Sequence, residues 1–146
     1  YSRRLREQAK KLGAGRVEFA GAAPSPAAAL AGLDLLVVPS HRESLGRVIL
    51  EAFSAGVPVM ACDTGGIPEV IEPGENGLLF PCGDTGALAR AALQVLGDAA
   101  LRERLIRRAR ESYRRRWGLE RFQREMLDRI ARQIAPRPPR RSSPAR

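Results

Sequence analysis

From residue 34 onward, short continuous apolar runs alternate with stretches whose apolar positions recur at helical spacing. DLLVVPS (34–40), VPVMAC (57–62) and LLFP (78–81) have the unbroken apolar character of strands covered on both faces. RVILEAFSA (47–55) between the first two reads as a helix, and IPEVIE (67–72) before the third as a short one. Strands alternating with helices at this rhythm predict an α/β fold with a parallel sheet. Upstream, SRRLREQAKKL (2–12) reads as an exposed amphipathic helix that stops at Gly13, RVEFAG (16–21) as a short strand, and SPAAALAGL (25–33) as a weak helix with Pro26 at its start. Downstream, Asp84 is placed to cap a helix carrying Leu88, Ala91, Ala92, Val95 and Leu96 on one face. Asp98 can cap a second, with Leu101, Leu105 and Ala109 inward. Leu119, Phe122, Met126, Leu127, Ile130 and Ile134 stripe a last helix. PRPPRRSSPAR (136–146) has too little to bury and is expected to be a disordered basic tail, leaving 1–135 as the folded part.

Composition sharpens this picture. The 146 residues suit one domain, and 44% apolar content with 5% aromatics suits an Ala/Leu/Val-rich core. No run approaches the roughly 18 apolar residues of a membrane span, and Tyr1 opens the chain with no leader-like segment, so a piece of a longer protein is expected, and the sparse, unpatterned cysteines favour a reducing cytoplasm. The net charge of +9 is uneven: residues 102–146 hold 16 Lys+Arg against five acids, and residues 1–101 hold nine against 11. Glu103, Glu111, Glu120 and Glu125 interrupt the arginines, which favours mixed surface helices and makes nucleic acid an unfavoured partner. The two cysteines, Cys62 and Cys82, lack metal-type spacing and have only His41 as a neighbour candidate, so no metal is expected.

The chemistry concentrates in PSHRESLGRVILEAFSAGVPV (39–59), where Glu43 and Glu51 stand eight positions apart. Ligands of parallel α/β sheets bind beyond the carboxyl ends of the strands, which places Glu43 at a mouth. The backbone N–H groups around Ser44 to Val48 would point out of a first helical turn, where a diphosphate is favoured, and Gly46 would permit close approach. Glu51 falls at the edge of the apolar arc of Val48, Ile49, Ala52 and Phe53. Its partner is either Arg47, four residues back, or a vicinal diol such as a ribose, whose hydroxyls can each donate to one carboxylate oxygen.

The ordered string P39-S40-x-x-E43-x-x-G46-x-x-x-x-E51-A52-x-x-x-G56-x-P58-V59, followed by G65-G66-x-P68-E69-V70 and N76-G77-L78-L79, resembles the C-terminal half of retaining GT-B glycosyltransferases of family 4. The likeness runs from about Val17 to Trp117. It implies a nucleotide-sugar-dependent transferase built from two Rossmann-like domains, of which this chain covers the later part of the donor domain. By position, Glu43 matches the first glutamate of the family's pair, at the reacting sugar, and Glu51 the second, at the ribose. Leu45, Gly46, Arg47 and Val48 match the segment whose backbone meets sugar hydroxyls and phosphate. Ser44-Leu45 stands where the family has Gly-Phe. Gly65 and Gly66 match a glycine loop near the cleft, or are a plain strand-to-helix turn.

The resemblance implies transfer with retention and no metal, the nucleotide-sugar being a substrate and no cofactor being needed. It leaves open whether Glu43 is a nucleophile or an electrostatic stabiliser. The family's upstream Gly-rich segment with its Arg and Lys is not matched here, nor is the acceptor domain, so the chain alone is expected to be inactive. A sugar or lipid-linked acceptor would be held by that N-terminal domain, with a peripheral contact to the inner face of the membrane compatible. The competing classes are a non-catalytic nucleotide-sugar-binding remnant and a basic module for anionic membrane or nucleic acid.

Overall fold

The computed structural model describes residues 2–13 and 15–134. The expected tail at 136–146 lies outside them. Ten elements follow in chain order: α1 (Ser2–Lys11), α2 (Pro26–Leu30), β1 (Leu36–Val38), α3 (Arg47–Ala55), β2 (Val59–Cys62), α4 (Ile67–Val70), β3 (Leu78–Phe80), α5 (Thr85–Gly97), α6 (Ala99–Ser112) and α7 (Leu119–Ile134), with a π-helical turn (Tyr113–Trp117) after α6.

The strands form one parallel sheet in the order β1-β2-β3, with Val37 opposite Met60 and Ala61 opposite Leu79. β2 is central and fully buried. Alternation along it divides the core: Val59 and Ala61 pack with Ile49, Ala52 and Phe53 of α3 and Ile67 and Val70 of α4, whereas Met60 and Cys62 pack with Phe80 and α5. Val95, Leu101 and Leu105 join α5 to α6. The helix starts follow side-chain chemistry. Asp84 Oδ1 accepts the Ala87 N–H at 2.8 Å, Asp98 Oδ1 the Leu101 N–H at 2.9 Å, and Ser25 Oγ the Ala28 N–H at 3.1 Å.

Two expectations require correction. RVEFAG (16–21) forms no strand among the described residues: its β propensity is local, and no described strand pairs with it. β1 is not covered on both faces, because Val37 is 36% exposed. The stripe on α7 is real, but Leu119, Phe122, Met126, Leu127, Ile130 and Ile134 remain 43–77% exposed; helical periodicity reports an apolar face and not what covers it. No helix among the described residues is long and apolar enough to cross a membrane.

Candidate functional site

The carboxyl ends of β1 and β2 lead into two loops that hold each other. The Thr64 hydroxyl donates to the His41 carbonyl at 3.2 Å, and the Gly66 N–H to the Glu43 carbonyl at 3.2 Å. The backbones meet so closely that a Cβ at Gly65 would collide with the Glu43 carbonyl oxygen, and one at Gly66 with the Ser44 carbonyl oxygen. The glycine pair therefore does more than turn the chain: it lets the second loop lie against the first, bringing Gly65 and Gly66 beside Glu43. The Glu43 side chain is half-buried at this rim.

Gly46 is buried and closes the first loop at φ +74°, a left-handed conformation that disfavours any side chain. It is the N-cap of α3 and supplies no side-chain hydrogen bond, and the first turn carries no acid. The leading N–H groups of α3, at Arg47 and Val48, consequently have no side-chain cap, a local environment that favours an anion. Leu45 and Val48 pack against the core cluster, so at those two positions the segment offers backbone rather than side chain, while the Arg47 side chain is exposed.

Glu51 lies elsewhere on α3. Its Oε1 is 3.8 Å from Arg47 Nη2, with the arginine side chain 89% exposed and the glutamate 31% exposed. A pair this long and this open contributes at most about 0.5 kcal/mol and yields readily to a better partner. Glu51 also lies on the wall of a hollow of ≈ 400 Å³, otherwise mostly apolar, with Pro24, Pro26, Leu30, Leu36 and Val48.

Sequence reasoning missed Asn76 and the arginines of the C-terminal helices. Asn76, 2% exposed, accepts the Glu72 N–H at 2.8 Å and donates to the Val70 carbonyl at 3.1 Å and to Ser112 Oγ at 3.3 Å. It ties the α4–β3 connection to the end of α6. Arg102 donates to the Val95 and Leu96 carbonyls, Arg110 to Ala55, Arg116 to Glu69, and Arg121 to Arg115. Each reaches carbonyls in or near the last turn of a helical segment, where unpaired acceptors and the negative dipole end favour a cation. These four arginines stitch the fold together, a role that sequence spacing could not reveal because some targets lie 55 or 47 residues away.

One group shows a resolved pKa shift. Burial first, then a hydrogen bond and charge from the neighbouring Cys82 thiol, push Cys62 from its ordinary 9.0 up to about 11. The fold thus holds the Cys62 proton more tightly than the unfolded chain does. That stability is present below about pH 9 and is lost as pH rises toward 11, at ~1.4 kcal/mol per pH unit in that window. Denaturation at about pH 8 and pH 10 should show a loss of about 1 kcal/mol that Cys62→Ala lacks.

Comparisons with known proteins define the family and the fold. The family model described as "Glycosyl transferases group 1" matches residues 1–112. Among curated relatives, N-acetyl-alpha-D-glucosaminyl L-malate synthase of Bacillus anthracis is 45% identical over 97 residues, covering 66% of this chain and 26% of that protein. The lipopolysaccharide core biosynthesis glycosyltransferase LpsE of Rhizobium meliloti is 40% identical over 109 residues, covering 74% and 32%. Among solved structures, HepE of Anabaena in complex with UDP superposes with a TM-score of 0.85 at 28% identity, covering 90% of this chain and 37% of that one. Its complex with UDP-glucose gives 0.81 at 27%, with the same coverage. The chain belongs to the group 1 glycosyltransferases. Its fold is that of part of the C-terminal domain of the GT-B architecture, and it spans about a quarter to a third of the length of these two curated relatives.

Proposed function

We propose that this chain supplies the donor side of a retaining, family 4 glycosyltransferase that takes its sugar from a nucleotide-sugar. The observation that carries the reading is the pair of interlocked loops at the carboxyl ends of β1 and β2, which sets Glu43 beside Gly65–Gly66 and next to the uncapped first turn of α3. Glu43 stabilises positive charge that develops on the sugar ring as the bond to the diphosphate breaks. The backbone at Gly46, Arg47 and Val48 stabilises the negative charge on the departing diphosphate, an environment already in place before reaction. Glu51 leaves its weak contact with Arg47 and accepts the two ribose hydroxyls, the nucleoside lying along the mostly apolar hollow. That solved relatives hold UDP and UDP-glucose supports the donor class. A sugar or lipid-linked acceptor, the second domain and a peripheral membrane contact belong to the full-length protein, in the cytoplasm.

The two carboxylates can be separated by kinetics. In the full-length protein Glu43→Gln should lower kcat, because it removes charge felt mainly in the transition state. Glu51→Gln should chiefly raise the donor KM, costing about 1.5–3 kcal/mol. Equal losses of kcat with unchanged KM in both variants would refute the assigned roles.

A further inference from the structure

Cys62 and Cys82 are both free thiols, the first buried at the end of β2 and the second exposed in the turn that follows β3. Cys62 pairs in register with Phe80, and both side chains face α5. Cys82 is two residues beyond Phe80, in the turn that follows β3. Its thiol reaches the carbonyl of Asp63, the residue after Cys62, at 3.9 Å. The turn is short, closed by Asp84 N–H to the Pro81 carbonyl at 3.1 Å, and immediately precedes the Asp84 cap of α5. A hollow of ≈ 140 Å³ lined by His41, Cys62, Phe80, Gly83 and Asp84 opens beside Cys62. One buried thiol at the end of β2 and one exposed thiol that reaches the backbone immediately after it is the arrangement of a resolving and an attacking cysteine.

We propose that Cys62 and Cys82 form a reversible disulfide, a modification site that ties the end of β2 to the turn entering α5. The oxidant is a low-molecular-weight disulfide of the glutathione class. The Cys82 thiolate attacks one sulfur of the oxidant; a new bond from Cys82 forms as the oxidant's own S–S bond breaks and one glutathione thiolate leaves. Cys62 gives up its proton and attacks the Cys82 sulfur, the Cys62–Cys82 bond forming as the second glutathione departs. The protein loses two hydrogens and the oxidant becomes two thiols. Burial keeps Cys62 protonated at neutral pH, which assigns the first attack to the exposed Cys82 and makes resolution the slow step. Asp63 begins the loop that carries Gly65 and Gly66, so the bond forms one residue from the segment that braces Glu43.

The full-length protein treated with oxidised glutathione, alkylated after denaturation and mapped by mass, tests this directly. Trypsin leaves both cysteines in one peptide, because no Lys or Arg lies between Arg47 and Arg90, whereas cleavage after Glu69, Glu72 or Glu75 separates them. The expected product is a cross-linked Cys62–Cys82 peptide pair without glutathione, restored to two alkylatable thiols by dithiothreitol. Cys62→Ala should accumulate glutathione on Cys82 about tenfold above wild type, because nothing resolves it. Wild-type protein that stops at glutathione on Cys82 with Cys62 still alkylatable would overturn the proposal. So would protein in which neither thiol is oxidised.

Discussion

Gly66→Ala should destabilise the protein by about 2–4 kcal/mol, combining the roughly 1–3 kcal/mol of overpacking at a site that cannot give way with the loss of one buried-edge hydrogen bond. The obstacle is the Ser44 carbonyl oxygen, backbone that no rotamer change can move aside. The loops must part, and the bond from the Gly66 N–H to the Glu43 carbonyl goes with them. Because a displacement of about 1 Å at a reaction centre can cost on the order of 100-fold in rate, kcat of the full-length enzyme should fall even where the variant remains folded. Gly65→Ala should do the same, its strain compounded by the backbone's φ of +55°. Urea melts and turnover measured on one preparation separate the two effects. A variant within about 0.5 kcal/mol of wild type would mean that the loops are not held against each other in solution.

Asn76→Ala carries the largest stability loss expected outside the rim. The bond to the Val70 carbonyl is buried and the other two are half-buried, so removing this buried amide should cost roughly 3 kcal/mol, lowering Tm by ~6–12 °C for a chain of this size. Ser112→Ala removes only one of those bonds and should cost under about 1 kcal/mol. Similar losses in both would show that the Asn76 network does not act as described. No change in donor KM is expected from either, because the network lies between the α4–β3 connection and α6, away from the rim.

What the residues revealed in advance follows from the range over which each signal acts. Helices α3, α5 and α6 were legible because their apolar spacing, with the carboxylates of Asp84 and Asp98 as caps on α5 and α6, is encoded within a few residues. The central strand was legible because burial on both faces leaves an unbroken apolar run. The apolar run of β1 could not say that Val37 would stay exposed, nor could Val17 and Phe19 specify a neighbour, since coverage and pairing are properties of two segments and not of one. For the site, the motif located Glu43, Glu51 and the glycines, but not the contact between Gly65–Gly66 and the Glu43–Ser44 backbone, which joins positions 22 residues apart and has no local signature. The arginines misled in a related way. Their charge was visible, whereas the helix-end carbonyls that bind Arg102, Arg110, Arg116 and Arg121 were not.

Calorimetric titration of the full-length protein with uridine, guanosine and adenosine diphosphates and their sugar esters separates the roles of the two carboxylates in binding. One nucleotide of the panel should bind at a single site. Glu51→Gln should weaken that nucleoside diphosphate by about 10- to 100-fold, while Glu43→Gln leaves it unchanged and alters only the increment contributed by the sugar. A wild-type protein that binds none of them, or a Glu51→Gln variant that binds the nucleoside diphosphate as tightly as wild type, would contradict the assigned roles.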